Sequence, residues 1–196
     1  PNITVELVGK KCVPLAGGSH VTTRNPAVIL YDWYLNVEGY SAGELDANAF
    51  ASLEELCDEV PSGGTLPRYR FDFNFDSNMT INDAKKVIWA SFNGRVIMSQ
   101  GKLKPVWDSS QQADGAGSLE TKTVSHQFTV DNMVKDSLTW NHLERPNTIR
   151  VHFKDSSKQY KTSSVEIKDE IDINTNGEIL FEESDWFITY AELARR

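Results

Sequence analysis

Histidine and cysteine are the residues of this chain best suited to metal binding or nucleophilic catalysis, and both are few. The four histidines lack the i, i+4 spacing that brings two imidazoles to one metal ion: they are His20, His126, His142 and His152. Only Cys12 and Cys57 could supply thiolates, which excludes a site of four cysteines. The sequence also lacks a G-x-S-x-G nucleophile motif and a glycine-rich phosphate loop before a helix. We therefore predict no metal, no cofactor and no enzymatic activity.

Carboxylates are the other groups that could do chemistry, and they crowd the C-terminal quarter of the chain. The run comprises Glu166, Asp169, Glu170, Asp172, Glu178, Glu182, Glu183 and Asp185. A glycosidase would need two of them facing each other across a cleft, with the pKa of one raised by burial. A run of this kind is most often a solvated surface, and the sequence leaves both interpretations open.

Five tryptophans could form stacking platforms for sugar rings, which gives the alternative interpretation of a carbohydrate-binding β-rich module. They are Trp33, Trp89, Trp107, Trp140 and Trp186. The first two fall in predicted amphipathic helices and Trp140 in a predicted strand, where large aromatic side chains usually supply packing area. Trp107 and Trp186 lie at the ends of elements, where packing is less certain.

The composition is that of an ordinary globular protein, with 196 residues of which 39% are apolar and 24% charged. This length is enough for one large domain or two small ones. There are 20 Lys and Arg residues against 28 Asp and Glu, and the net charge of −8 argues against a nucleic-acid coat or an anionic-membrane binder. The longest apolar stretch, residues 27–31, is far shorter than the roughly 20 residues of a membrane span. We predict no membrane anchor, and free thiols at Cys12 and Cys57.

Capping residues and apolar periodicity predict three helices in the first half of the chain. The predicted N-caps are Asn25 before Pro26, Asp46, and Thr80 with Asp83. The expected ends are Gly39, Pro61 and Gly94. The second and third helices carry apolar residues at helical spacing: Phe50, Leu53, Cys57 and Val60, then Ile81, Ala84, Val87, Ile88 and Phe92.

The strongest strand pattern of the chain is RYRFDFNFD, residues 68–76. Its aromatic residues alternate with polar ones and predict one buried face formed by Tyr69, Phe71, Phe73 and Phe75. RVIMS and KLKPV predict a hairpin across Gln100-Gly101, and residues 2–8 predict a further half-buried strand. Strands mixed with three helices indicate an α+β unit that ends near Trp107.

The segment 108–118, DSSQQADGAGS, has no apolar anchor and predicts an exposed loop or linker, the best candidate for a domain boundary. The pattern beyond it is strand-like in TVSHQFTV, DSLTWNHL, NTIRVHFKD, YKTSSVEIKD and GEILFEE, with polar turns that include Asn176-Gly177. We predict a small antiparallel β domain, most simply a barrel or sandwich. His152 alternates with apolar neighbours alongside Arg150 and Lys154, which favours a solvated strand face over a metal ligand.

The two ends of the sequence suggest a piece of a longer polypeptide. The chain begins with Pro1 where a natural start would be Met, and it stops within ITYAELARR, which has the pattern of a helix start. Thr189 and Glu192 have the spacing of a capping box. We expect that helix to continue beyond Arg196.

In their order and spacing, these segments resemble the central hub protein at the tail tip of long-tailed bacteriophages, the host-specificity protein J family of lambda-like phages. The resemblance rests on NPAVILYDWYLNVEGY, FASLEELCDEV, RYRFDFNFDSNMTINDAKKVIWASFNGRVIMSQGKLKPVWD, NTIRVHFKD, VEIKD and ITYAELARR. It covers most of the chain, although no single motif is specific.

The resemblance implies a structural protein of the virion, assembled in the host cytoplasm. Such hubs are trimers that close the distal end of the tail tube, contact other tail-tip and tail-tube proteins, link the tube to the receptor-binding fibre region and let DNA pass. It implies a strand and loop over residues 1–19, an outer α/β hub domain over 20–107, a flexible linker over 108–118 and a β tube-like domain over 119–196. The full-length protein would be a homotrimer.

The hub resemblance adds a third interpretation of the acidic run. A channel that passes DNA should present a wall that does not bind phosphate, and carboxylates repel the DNA backbone. The candidate channel-facing residues are Glu166, Asp169, Glu178, Glu182 and Glu183.

Overall fold

The computed structural model describes residues 9–15, 17–75, 78–109, 111–113, 119–123, 145–185 and 187–195. Several sequence predictions concern residues outside these ranges: the strand over residues 2–8, the strand-like segments within 124–143, and the side chains of His126, His142, Trp140 and Trp186. The described residues combine helices with strands, which confirms the α+β class. None of the helices in these ranges is long and apolar enough to cross a membrane.

The three predicted helices of the first half are confirmed as α1 (Pro26–Asn36), α2 (Ala47–Asp58) and α3 (Ile81–Ala90). A short 3-10 turn, Ala42–Glu44, connects α1 to α2. Each helix begins where a side-chain oxygen accepts a first-turn N–H that would otherwise lack a partner. The three bonds are Ala27 to Asn25 at 2.9 Å, Ala49 to Asp46 at 3.1 Å and Asp83 to Thr80 at 3.1 Å.

The helices enclose the larger of two hydrophobic cores. Its fully buried side chains include Leu30, Phe50, Leu53, Ile88 and Phe92. Cys57 is buried here, as the apolar stripe predicts, and both cysteines are free thiols. Two residues of the predicted stripes are instead exposed, because Val60 lies beyond the end of α2 and Ile81 is the first residue of α3.

The predicted strand over residues 68–76 is wrong as secondary structure but right about its buried face. Residues 68–75 form no ladder, because their N–H groups donate to carbonyls from different parts of the chain: Arg68 to Glu59, Tyr69 to Cys57, Phe71 to Arg24 and Asp72 to Phe187. The aromatic side chains still lie together, with ring centroids of Phe71, Phe73 and Phe75 within 6.0 Å of one another. The alternation therefore predicted which side chains pack together, but it did not predict that the segment lacks strand pairing.

The hairpin across Gln100-Gly101 is confirmed, with β1 (Gly94–Ser99) antiparallel to β2 (Lys102–Trp107). Both turn residues have positive φ, 51° and 76°, the combination of a type I′ turn. Gly94 does not end α3 as predicted; it opens β1 at a point of close contact. A Cβ there would lie 2.3 Å from the Phe92 ring and 2.5 Å from the Val106 carbonyl oxygen.

The predicted linker contains a strand in its described part. Strand β3 (Gln111–Ala113) pairs antiparallel with β4 (Leu119–Thr121). Leu119 packs against the larger core. The Trp107 indole N–H donates to the Gln111 carbonyl at 3.0 Å and holds β3 beside β2. The boundary at 108–118 stays a prediction.

A three-stranded sheet forms the described part of the second half, in the order β6 (Lys161–Lys168), β5 (Thr148–Asp155), β7 (Leu180–Ser184). The 3-10 turn Ser156–Lys158 connects β5 to β6, which are antiparallel as predicted. In contrast, β7 runs parallel to β5.

The parallel pairing arises from a helix that the sequence analysis missed, α4 (Glu170–Asn176), which carries the chain from one side of β5 to the other. The buried Asn147 holds this crossover: its amide donates to Asp172 at 2.8 Å and to the Gly177 carbonyl at 2.7 Å. Within the described ranges the three strands do not close into a barrel.

The C-terminal segment, residues 187–195, includes α5 (Ala191–Ala194) and contradicts the predicted capping box. Thr189 donates its hydroxyl to Asp72 at 2.7 Å, and the Glu192 carboxylate accepts the N–H groups of Thr65 and Leu66 at 2.9 and 3.2 Å. Tyr190 stands at the N-cap and makes no side-chain cap. Both predicted capping side chains are thus used in long-range contacts with the first half of the chain.

The contact at Gly94 predicts that Gly94→Ala destabilises the protein by about 1–3 kcal/mol, because the added methyl group must displace the Phe92 ring or strand β2. Gly43→Ala is the matched control, since its Cβ would meet nothing nearer than the Ser41 hydroxyl at 4.0 Å. Its effect should stay within about 0.5 kcal/mol. Urea unfolding monitored by tryptophan fluorescence measures both values. Equal losses in the two variants would contradict the close approach.

Candidate functional site

One face of the three-stranded sheet brings two of the five candidate carboxylates to one arginine. In the register of the sheet, Arg150 on the central strand lies directly opposite Glu166 on β6 and Glu182 on β7. Its Nε and Nη2 atoms donate to Glu166 Oε2 at 2.9 and 2.8 Å, and Nη1 donates to Glu182 Oε1. Arg150 therefore joins all three strands through side-chain contacts.

Lys168 extends this arrangement toward the start of α4. Its ammonium group lies 2.9 Å from Glu166 Oε1 and 3.2 Å from Glu178 Oε1. Glu178 also accepts the hydroxyl of the buried Thr148 at 3.1 Å. The result is a line of alternating charges, Glu182, Arg150, Glu166, Lys168 and Glu178, which we call the sheet ion network.

The cations of the sheet ion network favour the charged form of its carboxylates. Hydrogen bonds and charge from Lys168 and then Arg150 lower the pKa of Glu166. The pKa of Glu178 is lowered by Lys168 and by the Thr148 hydroxyl. Carboxylates with lowered pKa values stay ionised near neutral pH and do not serve as proton donors there. The network fits a role in holding strands together better than the acid–base pair of a glycosidase.

The other two candidate residues lie elsewhere. Asp169 is the N-cap of α4, where its carboxylate accepts the N–H groups of Ile171 and Asp172 at 3.2 and 3.1 Å. Glu183 follows Glu182 on an exposed strand, so it faces the opposite side of the sheet. The five carboxylates thus do not form a single wall on this chain. Their orientation toward a channel remains a prediction.

The counter-ions Arg150 and Lys168 are the residues of this site that sequence reasoning did not identify. The alternation in NTIRVHFKD correctly grouped Arg150 with His152 and Lys154 on a polar face. His152 is half-buried there, opposite Ser164 and Ser184, and these hydroxyls are its cross-strand neighbours. Across the described ranges, no three His, Cys, Asp or Glu side chains are grouped to hold a metal ion.

The two cysteines lie in settings that disfavour the thiolate. Burial raises the pKa of Cys57 well above its ordinary value, and burial followed by the nearby Asp32 carboxylate raises that of Cys12. Because the thiolate is the reactive form, these thiols are poor nucleophiles in the folded chain.

The tryptophans within the described residues pack against the larger core, and one of them also lines a surface cleft. Trp33 and Trp89 pack against the larger core, as their helical positions predict. Trp107 also packs there, but one side of its indole lines an open cleft of about 440 Å³. The remaining lining residues combine apolar and polar side chains: Lys104, Pro105, Val106, Gln112 and Lys122.

Comparison with known proteins gives no family assignment. No protein-family model matches the chain, and no curated protein matches it. The resemblance to tail-tip hubs therefore remains a prediction from the sequence.

The sheet ion network predicts that Arg150→Met destabilises the protein at pH 7, because Glu166 and Glu182 then face each other across β5 without their shared cation. Glu166 has a folded pKa below its ordinary value of 4.5, so its stabilising contribution is present above that value. The contribution is lost as the pH falls through the lowered folded pKa. The difference between wild type and Arg150→Met should therefore shrink toward about pH 3.

Urea unfolding at a series of pH values measures this difference. Lys161→Met, on β6 and without an ion pair among the described residues, is the matched control and should show little change at any pH. A difference for Arg150→Met that is the same at pH 7 and at about pH 3 would show that lost packing, and not charge, is the cause.

Proposed function

We propose that this chain is a non-enzymatic structural component of a phage or prophage tail tip. In this proposal it belongs to the hub that closes the distal end of the tail tube, links it to the receptor-binding fibre region and forms part of the channel for DNA ejection. Its partners are further copies of itself, as a homotrimer in the full-length protein, and the neighbouring tail-tip and tail-tube proteins. Its location is the virion.

The observation that carries this proposal is that carboxylates in the C-terminal quarter of the chain bind cations or cap a helix within the chain itself. Glu166, Glu178 and Glu182 are bound by cations on the sheet, and Asp169 caps a helix. These carboxylates stabilise local structure, a use that fits an assembly protein. The ordered set of segments that resemble the hub family supplies the identity of the assembly.

The finer architecture is part of the same proposal. The residues from 119 onward would form a barrel-like tube domain, and β6 and β7, the outer strands of the described sheet, are the positions at which further strands could add. Some of the candidates Glu166, Asp169, Glu178, Glu182 and Glu183 would then face the channel, where negative charge lets DNA slide without binding. Residues 20–107 would form the outer hub domain.

Peptides of this chain should be found by mass spectrometry in purified tails or virions that carry its gene. The chain should enrich together with the tail-tube protein through density-gradient purification, because a hub is a fixed part of the particle. A soluble enzyme from the same genome serves as the control for contamination. Detection of the chain in infected-cell cytosol and not in tails would contradict the proposal.

The Trp107 cleft supports a second candidate, the carbohydrate-binding module. An indole beside lysine and glutamine side chains offers both a stacking face for a sugar ring and polar groups for its hydroxyls.

For this second candidate, the chain should bind members of a glycan array, and Trp107→Ala should weaken that binding by at least about tenfold, since stacking area is lost. Trp33→Ala is the control, because Trp33 packs in the same core away from the cleft. Thermal unfolding of both variants separates lost binding from lost folding. Absence of any glycan binding by the wild-type chain would remove this candidate.

A further inference from the structure

An exposed patch of positive charge lies on the β1–β2 hairpin of this acidic protein. Val96, Leu103 and Trp107 direct one face of the hairpin into the larger core. Alternation along the strands places Arg95, Ile97 and Lys104 on the opposite face, with Ile97 directly across from Lys104 and Ser99 across from Lys102. Ile97 is 39% exposed. We call this surface the basic hairpin face; its residues are Arg95, Ile97, Lys102 and Lys104.

The cations of the basic hairpin face form no ion pair with the described residues of the chain. Every ion pair found within the described ranges involves other cations, and Arg95, Lys102 and Lys104 take part in none. In a chain of net charge −8, such a patch is a local reversal of sign. A reversal of this kind beside the exposed Ile97 side chain is typical of a surface that meets a negatively charged partner.

A second exposed apolar surface lies on the three-stranded sheet, on the side opposite the sheet ion network. Ile149 stands directly across from Ile167 on β6 and from Phe181 on β7, so the three form one row. The short helix α5 covers Phe153 and Val165 farther along the same face but does not reach this row. The three side chains are 40 to 48% exposed.

Carboxylates follow two members of this row along the chain. Glu183 and Asp185 follow Phe181 along the same side of the chain, and Glu170 begins α4 three residues after Ile167. None of the three forms an ion pair in the part of the chain that the structure describes. Burial, and after it the charge of Glu183, raises the pKa of Asp185. We call this surface the acidic sheet face; its residues are Ile149, Ile167, Glu170, Phe181, Glu183 and Asp185.

We propose that the basic hairpin face of one copy of this chain docks on the acidic sheet face of a second copy. The basic hairpin face has Ile97 among its cations, the acidic sheet face has the row of Ile149, Ile167 and Phe181 beside its carboxylates, and the charges of the two faces have opposite sign. Apolar side chains supply the area removed from water, and the charges set the orientation and oppose pairing of like faces. Because the two faces are different surfaces, the contact is head-to-tail and repeats from copy to copy, closing into a ring where the rotation permits.

This inference rests on the proposed function in one respect, that copies of the chain assemble with one another. The proposed function does not say which surfaces meet, whereas the inference names the two surfaces and the charges that orient them. The tests remain separate. Presence of the chain in tails without contact between these faces overturns the inference and leaves the hub proposal intact. Contact between these faces in a chain that is absent from tails overturns the hub proposal alone.

Charge reversal on each face provides the experiment. Sedimentation velocity of the chain at low ionic strength should show concentration-dependent association that weakens as salt is added, because salt screens the charges of the two faces. Lys102→Glu with Lys104→Glu places acidic side chains on both faces, and Glu170→Lys with Glu183→Lys places basic side chains on both. Each double variant alone should show an apparent dissociation constant raised by at least about tenfold.

Mixing the two double variants should restore association, since each contact between one variant and the other again pairs faces of opposite charge. The control for the lysine variant is Lys11→Glu with Lys86→Glu, which makes the same change of net charge at exposed sites outside both faces and should associate like wild type. Circular dichroism and thermal unfolding check that each variant is folded. A monomeric wild-type chain, double variants that associate like wild type, or a mixture that stays monomeric would each overturn the proposal.

Discussion

The position of the C-terminal segment between two hydrophobic cores is the constraint on which the rest of the structure depends. On one side Phe187 stacks on Phe71 at 6.5 Å between ring centroids. On the other side Ile188, Ala191 and Ala194 pack against Phe153 and Val165. A segment that contributes side chains to both cores couples the helical unit to the sheet. Loss of either contact therefore weakens the other.

Polar contacts along the same segment fix its register as well as its position. Asp72 receives the Thr189 hydroxyl at 2.7 Å and an ion pair from Arg24 at 3.0 Å, while the Arg24 guanidinium also donates to the Tyr190 hydroxyl. The Arg70 guanidinium lies over the Tyr190 ring at 5.0 Å. A slip of one residue would exchange Thr189 for a neighbour that cannot donate in the same place. Directional bonds thus select one placement from those that hydrophobic burial alone would allow.

Sequence predictions succeeded where the interacting residues are close together along the chain and failed where they are far apart. Asn25, Asp46 and Thr80 cap helices through N–H groups within three residues, so their patterns were sufficient to predict α1, α2 and α3. Thr189 and Glu192 have the same local pattern, yet their side chains bind Asp72 and Thr65, more than 100 residues away. A capping bond is worth about 1 kcal/mol, which the hydrogen bond from the buried Thr189 to a charged carboxylate can exceed.

The same reasoning applies to strands and to the candidate site. Alternation in residues 68–75 reports which side chains are buried, but pairing needs a neighbouring edge, and here the nearby carbonyls come from α2, from Arg24 and from the C-terminal segment. Likewise the acidic run indicated a candidate surface, whereas its counter-ion Arg150 could be assigned only once the register of β5 with β6 and β7 was known.

Register also explains how one sheet carries two surfaces of different character. Because side chains alternate, Arg150 gathers Glu166 and Glu182 on one face and leaves Ile149, Ile167 and Phe181 together on the other. The first face satisfies its charges within the chain. The second lies next to carboxylates that have no cation among the described residues, while the hairpin cations, which have no ion pair within the same ranges, lie on another part of the surface. Charges that are separated in this way within one chain can be neutralised between chains, which is the physical basis of the proposed contact between the sheet and the hairpin of two copies.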